Sequence, residues 1–173
     1  IALRIDNDWK YREIATNATY QWNNTNFNAN YGGIPKNVFL HITGKLYQTL
    51  PLYSGLKTTG VYIYPSEINI QEQSAVIHAE TEVRNEFETA KKVEYNVVVE
   101  DIQGKVIASF TGEKTDLLPN ETKIIKASKL INNLHFWSWG YGYLYKVKTI
   151  LKVDGKIIDE VSTKTGFRKT EFK

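Results

Sequence analysis

The stretch SAVIHAETEVR, Ser74–Arg84, decides the fold, because its side chains alternate between a small or apolar set and a mostly polar set. Successive side chains of a β-strand point to opposite faces, so a period of two predicts a half-buried antiparallel strand. The positions predicted to face the core are Ala75, Ile77, Ala79, Thr81 and Val83. The positions predicted to face solvent are Val76, His78, Glu80, Glu82 and Arg84.

The same period continues downstream. VEYNVVVED, Val93–Asp101, places four apolar residues on one face, and LYKVKTILKV, Leu144–Val153, alternates apolar residues with lysines. The Asp154-Gly155 pair that follows is a strong hairpin signal, because a type I′ turn needs positive φ at both central residues. No segment of helical length shows a 3.6-residue period. The sequence therefore predicts an all-β fold, an immunoglobulin-like antiparallel β-sandwich of about seven strands over residues 60–173.

The composition is that of an ordinary globular protein. Of the 173 residues, 42% are hydrophobic and 24% are charged, which argues against disorder. The net charge is only +3, with no block of like charges, so we expect no nucleic-acid partner. The absence of cysteine removes disulfides and thiolate metal sites. No apolar run approaches the roughly 20 residues needed to span a bilayer, so we expect no membrane partner, and no motif in the sequence calls for a cofactor.

Residues 1–59 follow a different pattern. Two strand-like segments, IALRIDN at 1–7 and NVFLHIT at 37–43, flank an asparagine-rich stretch, and GKLYQTLPLYSGLKTTG at 44–60 has the composition of a connector. Two strands cannot form a domain alone. We therefore expect residues 1–59 to be the C-terminal tail of a preceding all-β domain plus a linker, and the chain to be a fragment of something longer.

Three segments occur in an order that is typical of one enzyme family. They are YGGIPKNVFL, Tyr31–Leu40; FWSWGYGYLYKVKTIL, Phe136–Leu151; and DGKIIDEVSTKTGFRKTEF, Asp154–Phe172. Together they resemble family 2 glycoside hydrolases, the group of β-galactosidases and β-glucuronidases. The first is similar to the segment that ends the family's sugar-binding domain, and the third to the strand that closes its immunoglobulin-like domain. The sequence departs from the family at Lys36, where arginine is usual, and at Gly142, where proline is usual.

The resemblance implies a domain order of a jelly-roll sugar-binding domain, the sandwich and a (β/α)₈ barrel. It implies a retaining β-glycosidase, most similar to β-galactosidases, whose two catalytic carboxylates lie roughly 5 Å apart in the barrel. The sequence stops about where that barrel is expected to begin, so we expect no catalytic residue in it. The implied partners are a β-glycoside substrate and the chain's own barrel, with the sandwich acting as a structural spacer.

The best candidate for a substrate contact is QWNNTNFNANYGGI, Gln21–Ile34, which holds five asparagines within eight positions. Asparagine both donates and accepts hydrogen bonds, which suits sugar hydroxyls, and it also satisfies backbone groups in turns. In the resembling enzymes the loop before GGI reaches the mouth of the active site. The resemblance therefore implies that Trp22, Asn26 and Asn28 contact the substrate in the whole enzyme. The alternative is that the amides only structure the loop.

A second concentration of aromatic residues, from Trp137 to Tyr145, has two interpretations. It is either a stacking surface for a sugar or a corner whose rings plug the end of the core or dock on the barrel.

Glu80 and Glu82 are interpreted as a solvated strand face rather than as an acid/base pair. No metal site is expected, because the three histidines are far apart in the sequence: His41, His78 and His135. The alternative function is a stand-alone carbohydrate-binding or adhesive β-sandwich that binds glycans through its aromatic surface.

Overall fold

The computed structural model describes residues 2, 33–34, 38, 40–51 and 57–170. The chain divides into two units, Ile1–Ile42 and Thr43–Lys173, and the strands of the described ranges lie in the second. Regular structure within these ranges is entirely β-strand. They include no helix that is long and apolar enough to cross a membrane.

Nine strands in the described ranges form two antiparallel sheets. They are β1 (Leu46–Gln48), β2 (Val61–Asn69), β3 (Ser74–Asn85), β4 (Lys91–Glu100), β5 (Val106–Thr111), β6 (Thr115–Leu117), β7 (Thr122–Ile131), β8 (Tyr145–Val153) and β9 (Lys156–Thr165). In the first sheet β3 is central, and β7 pairs along one of its sides. Along the other side, β2 pairs with residues 74–81 of β3 and β1 pairs with residues 83–85. In the second sheet the order is β5-β4-β8-β9, and β6 pairs with the start of β4.

The core lies between the two sheets and uses the alternate residues that the sequence predicts. On β3, Ala75, Ile77 and Val83 have no exposed surface, and on β4 the same holds for Tyr95 and Val97. Burying a Val, Ile or aromatic side chain stabilises the fold by roughly 1.5–3 kcal/mol. A register shift of one residue would turn this whole set to solvent, so the alternation also fixes the register. The predicted all-β antiparallel sandwich is confirmed.

The predicted hairpin at Asp154-Gly155 is also confirmed. Val153 pairs with Lys156 across the turn, and the φ angles of Asp154 and Gly155 are 50° and 73°. Both values lie in the left-handed region that a type I′ turn requires. The turn holds β8 and β9 in register with a two-residue connection.

Two three-residue strands depart from the predicted pattern. With β6, the described strands from residue 60 to residue 170 number eight rather than about seven. The prediction of a connector over residues 44–60 is wrong for β1, which pairs with the end of β3. Gln48 is buried; its backbone N–H donates to Asp159 Oδ2 at 2.8 Å, and its side-chain amide donates to the Thr149 carbonyl at 3.0 Å. Polar bonds to both sheets therefore pin the segment, although its sequence looks like a linker.

The strand predicted at residues 37–43 is not formed by the part of it that the structure describes. Residues 40–43 pair with no described strand, and a strand needs a hydrogen-bonded neighbour to form. Apart from Ala2, IALRIDN lies outside the described residues, and so does the asparagine-rich stretch apart from residues 33–34. The preceding jelly-roll domain and the boundary between residues 59 and 60 stay predictions.

Candidate functional site

The three residues predicted to contact substrate, Trp22, Asn26 and Asn28, lie outside the described residues. Their contact with sugar therefore stays a prediction. Two surfaces of the sandwich carry concentrations of aromatic and charged side chains. One is the aromatic corner, residues 135–145 together with Phe167 and Arg168. The other is the outer face of the first sheet, formed by β2, β3 and β7.

The backbone of the aromatic corner is fixed by local hydrogen bonds. The N–H of Trp137 donates to the Phe167 carbonyl at 2.8 Å, which ties the corner to the segment that follows β9. Ser138 and Tyr141 exchange two N–H···O bonds of 3.0 Å around a tight turn. A Cβ placed on Gly166 would lie only 2.9 Å from the Cβ of Trp137. Glycine at 166 therefore lets the indole lie directly against the backbone.

The inner rings of the corner close the end of the core. Tyr145 and Phe167 are buried and stack with their ring centroids 5.0 Å apart. The hydroxyl of Tyr145 accepts the backbone N–H of His135 at 2.7 Å. Burial raises the pKa of Tyr145 to about 12, which keeps the phenol neutral. Tyr143 stacks on the imidazole of His135 with ring centroids 4.6 Å apart, and it meets the Tyr145 ring at a tilt of 56° with centroids 5.0 Å apart. For these rings the core-plugging interpretation holds.

The outer rings of the corner face solvent. Trp139, at the tip of the turn, is 97% exposed. The guanidinium of Arg168 lies 5.4 Å from the centre of the Trp137 ring. A cleft of about 380 Å³ lies beside them, lined mainly by Ile70, Leu134, Phe136, Trp137, Tyr141 and Lys169. The stacking and docking interpretations apply only to this outer half, and both stay predictions.

The outer face of the first sheet is organised by strand register. Tyr62 on β2 lies opposite Glu80 on β3, which in turn lies opposite Lys126 on β7. Glu80 Oε1 accepts hydrogen bonds from the Tyr64 hydroxyl at 3.0 Å and from Lys126 Nζ at 2.9 Å. The Lys126 hydrogen bond is the main reason that the pKa of Glu80 is lowered. The carboxyl of Glu80 is therefore ionised at neutral pH and held in one orientation.

The rings of this face form a stack along its edge. Tyr62 and Tyr64 stack at 5.0 Å, and Tyr64 and His78 stack at 4.8 Å with their planes only 9° apart. Ser66 Oγ lies 2.7 Å from His78 Nε2. Hydrogen bonding and stacking therefore give this face a fixed arrangement of rings around Glu80.

Glu80 and Glu82 are only half-buried, but each is held by its own partners, so they are more ordered than a solvated face implies. Glu82 Oε1 accepts the Thr49 hydroxyl at 2.8 Å. On the second sheet, Glu100 is bound by Lys146 and Lys148, and these hydrogen bonds lower its pKa. In the described part of the chain no group of three or more His, Cys, Asp or Glu side chains is placed to hold a metal ion. Ion pairs with lysines hold Glu80 and Glu100, and hydrogen bonds hold Glu82.

The family comparison matches most of the sandwich. Residues 59–168 match the family described as Glycosyl hydrolases family 2. A β-glucuronidase of Formosa agariphila is 35% identical over 173 residues, which is 99% of this chain and 17% of that protein. The sequence motifs and the family match therefore indicate the same family, glycosyl hydrolases family 2.

Solved structures give the same result. A β-glucuronidase from glycoside hydrolase family 2 aligns with a TM-score of 0.68 and 31% identity, covering 73% of this chain and 13% of its own. A putative β-galactosidase from Bacteroides fragilis aligns with a TM-score of 0.64 and 27% identity, covering 75% of this chain and 19% of its own. The chain thus spans less than a fifth of the length of each relative.

Proposed function

The chain belongs to family 2 of the glycosyl hydrolases, and we propose that it is the non-catalytic central region of a retaining β-glycosidase. The observation that carries the proposal is the family match over residues 59–168 together with the much greater length of the relatives. In this proposal the sandwich is a spacer that holds a sugar-binding domain against a catalytic barrel outside this chain. The two catalytic carboxylates belong to that barrel.

A spacer of this kind has to be rigid. Displacing a substrate-contacting group by about 1 Å can cost two orders of magnitude in rate. Buried amides support such rigidity: Asn85 has no exposed surface, and its side chain donates to the carbonyls of Thr89 and Leu118 at 3.1 and 2.9 Å. Its own Oδ1 accepts the backbone N–H of Phe87 at 3.0 Å. The β3–β4 connection and the β6–β7 turn are thereby locked to one side chain.

Two substrate classes have support. β-Glucuronides are favoured by relatives that carry that name at 35% and 31% identity. β-Galactosides are favoured by the sequence motifs and by the neighbour at 27% identity. We therefore place the glucuronide first and the galactoside second.

The test uses the longer protein to which we assign this chain. It is assayed with 4-nitrophenyl β-glucuronide and 4-nitrophenyl β-galactoside, and the anomeric configuration of the first product is followed by NMR. The proposal expects hydrolysis of at least one substrate with retention, and the preferred substrate decides between the classes. Inversion, or no turnover of either glycoside by a folded protein, would contradict it.

A further inference from the structure

The outer face of the first sheet contains a groove that the spacer role does not use. A cleft of about 310 Å³ is lined by Thr59, Gly60, Tyr62, Glu80 and Ile124. A second cleft of about 470 Å³ runs across β7 to the connection between β5 and β6, and Glu80 and Ile124 line it as well. Because these two residues are common to both clefts, the clefts meet above Glu80. Volumes of this size are typical of small-ligand sites.

The walls of the groove suit a flat ligand with one apolar face. Tyr62 is 61% exposed, and its ring is fixed from behind by the stack on Tyr64. Ile124, 45% exposed, lies on the other side of β3 in the same cleft. An aromatic ring held rigid yet open to water is a preformed stacking surface, because its conformational entropy is already lost.

The floor of the groove supplies a hydrogen-bond acceptor. In the part of the chain that the structure describes, both hydrogen bonds to Glu80 reach Oε1, from Tyr64 and Lys126, and none reaches Oε2. The carboxylate is kept ionised by Lys126. Oε2 is thus available to accept hydroxyl groups, and a charged acceptor makes stronger hydrogen bonds than a neutral one.

The charges of the groove select the ligand. Its lining holds two carboxylates, Glu80 and Glu113, against one ammonium, Lys126, which is already paired with Glu80. An anionic sugar would therefore meet net repulsion, whereas a neutral sugar would meet acceptors for its hydroxyls.

We infer that this groove is a binding site for neutral oligosaccharides, with a pyranose ring on Tyr62 and its hydroxyls on Glu80 Oε2. The second cleft accommodates the adjoining sugar units over β7. The test of this site does not depend on the proposed enzyme activity. The site would keep a neutral polysaccharide near the enzyme.

The test titrates the 173-residue chain with cellotetraose and β-galactotetraose as neutral probes and tetragalacturonate as the anionic probe. Binding is followed by chemical shifts of backbone amides. We expect a Kd on the order of 1 mM for at least one neutral probe, with shifts centred on β2, β3 and β7, and no saturable binding of tetragalacturonate. Failure of both neutral probes to bind at about 10 mM, or equal binding of the anionic probe, would overturn the inference.

Variants locate the site. Tyr62→Ala and Glu80→Gln are expected to weaken binding by about tenfold each, Tyr62→Phe to keep it within about twofold, and Ile157→Ala, an exposed change on the other sheet, to leave it unchanged. Thermal unfolding of each variant shows that it is folded. Binding lost in Trp139→Ala but kept in Tyr62→Ala would place the sugar at the aromatic corner and refute the groove.

Discussion

Two buried tyrosines are predicted to respond in opposite directions to loss of the hydroxyl. Tyr95 and Tyr145 are 0% and 1% exposed and differ chiefly at the oxygen. The Tyr145 hydroxyl accepts the His135 N–H at 2.7 Å, whereas the Tyr95 hydroxyl has no hydrogen-bond partner among the described residues. Burial raises the pKa of both phenols, so both are neutral at pH 7.

The magnitudes follow from the cost of the hydrogen bond. Tyr145→Phe removes an acceptor and leaves a backbone donor, so we expect a loss of about 1 kcal/mol in the free energy of unfolding. Tyr95→Phe removes a buried hydroxyl that makes no hydrogen bond with the described residues in the folded state, while the ring keeps its contacts. We expect a gain of about 1 kcal/mol. The two variants should therefore differ by about 2 kcal/mol.

The measurement is urea unfolding at pH 7 and 25 °C, followed by tryptophan fluorescence. The urea dependence of the unfolding free energy should be the same in all variants, because the surface exposed on unfolding is unchanged. Tyr62→Phe, on an exposed tyrosine, is the matched control and is expected to change stability by less than about 0.5 kcal/mol. If Tyr95→Phe lost more than about 1 kcal/mol, or Tyr145→Phe lost nothing, the assignment of the two hydroxyls would be wrong.

Three further predictions concern stability. Gly166→Ala forces a methyl group against Trp137 and should cost roughly 1–3 kcal/mol in urea unfolding; Gly142→Ala, where the added carbon meets its nearest atom at 3.7 Å, is the control and should be close to neutral. Lys148 and Lys146 hold the pKa of Glu100 below its ordinary 4.5 in the folded state. On acidification the carboxyl of Glu100 is therefore protonated in the unfolded state at a higher pH than in the folded state, which favours unfolding between those two pKa values. Stability should fall as the pH drops through that window, and Glu100→Gln should flatten the fall; an unchanged acid limb would refute the pairing. At high pH the unfolded state releases the Tyr145 proton from pH 10, whereas the folded state retains it to about pH 12. Stability should therefore fall between those values and fall less steeply in Tyr145→Phe; equal slopes would contradict the raised pKa.

The long strands could be predicted from the sequence because alternation is a local signal. Ser74–Asn85 and Tyr145–Val153 each repeat the period at least four times, and each buries the predicted face. Leu46–Gln48 and Thr115–Leu117 are too short to show a period. In β1 the buried side chain Gln48 is polar, so only its hydrogen bonds in the folded chain explain its burial.

The groove on the first sheet could not be predicted, because it depends on register between distant segments. Tyr62, Glu80 and Lys126 come from three strands, and β2 slips against β3 between Ser66 and Asn69. The sequence showed only two glutamates on a polar strand face. The available signal for an aromatic surface beside these glutamates was the spacing of Tyr62 and Tyr64, which are two positions apart and so lie on the same face of one strand.

The most direct test of the central claim compares turnover by the folded 173-residue chain with turnover by the longer protein. Both are assayed with 4-nitrophenyl β-glucuronide and β-galactoside at equal molar concentration, after thermal unfolding has shown that each is folded. The account predicts hydrolysis by the longer protein and no turnover above background by the chain. Hydrolysis by the chain alone that is abolished by replacing one of its own carboxylates, such as Glu80→Gln, would contradict it.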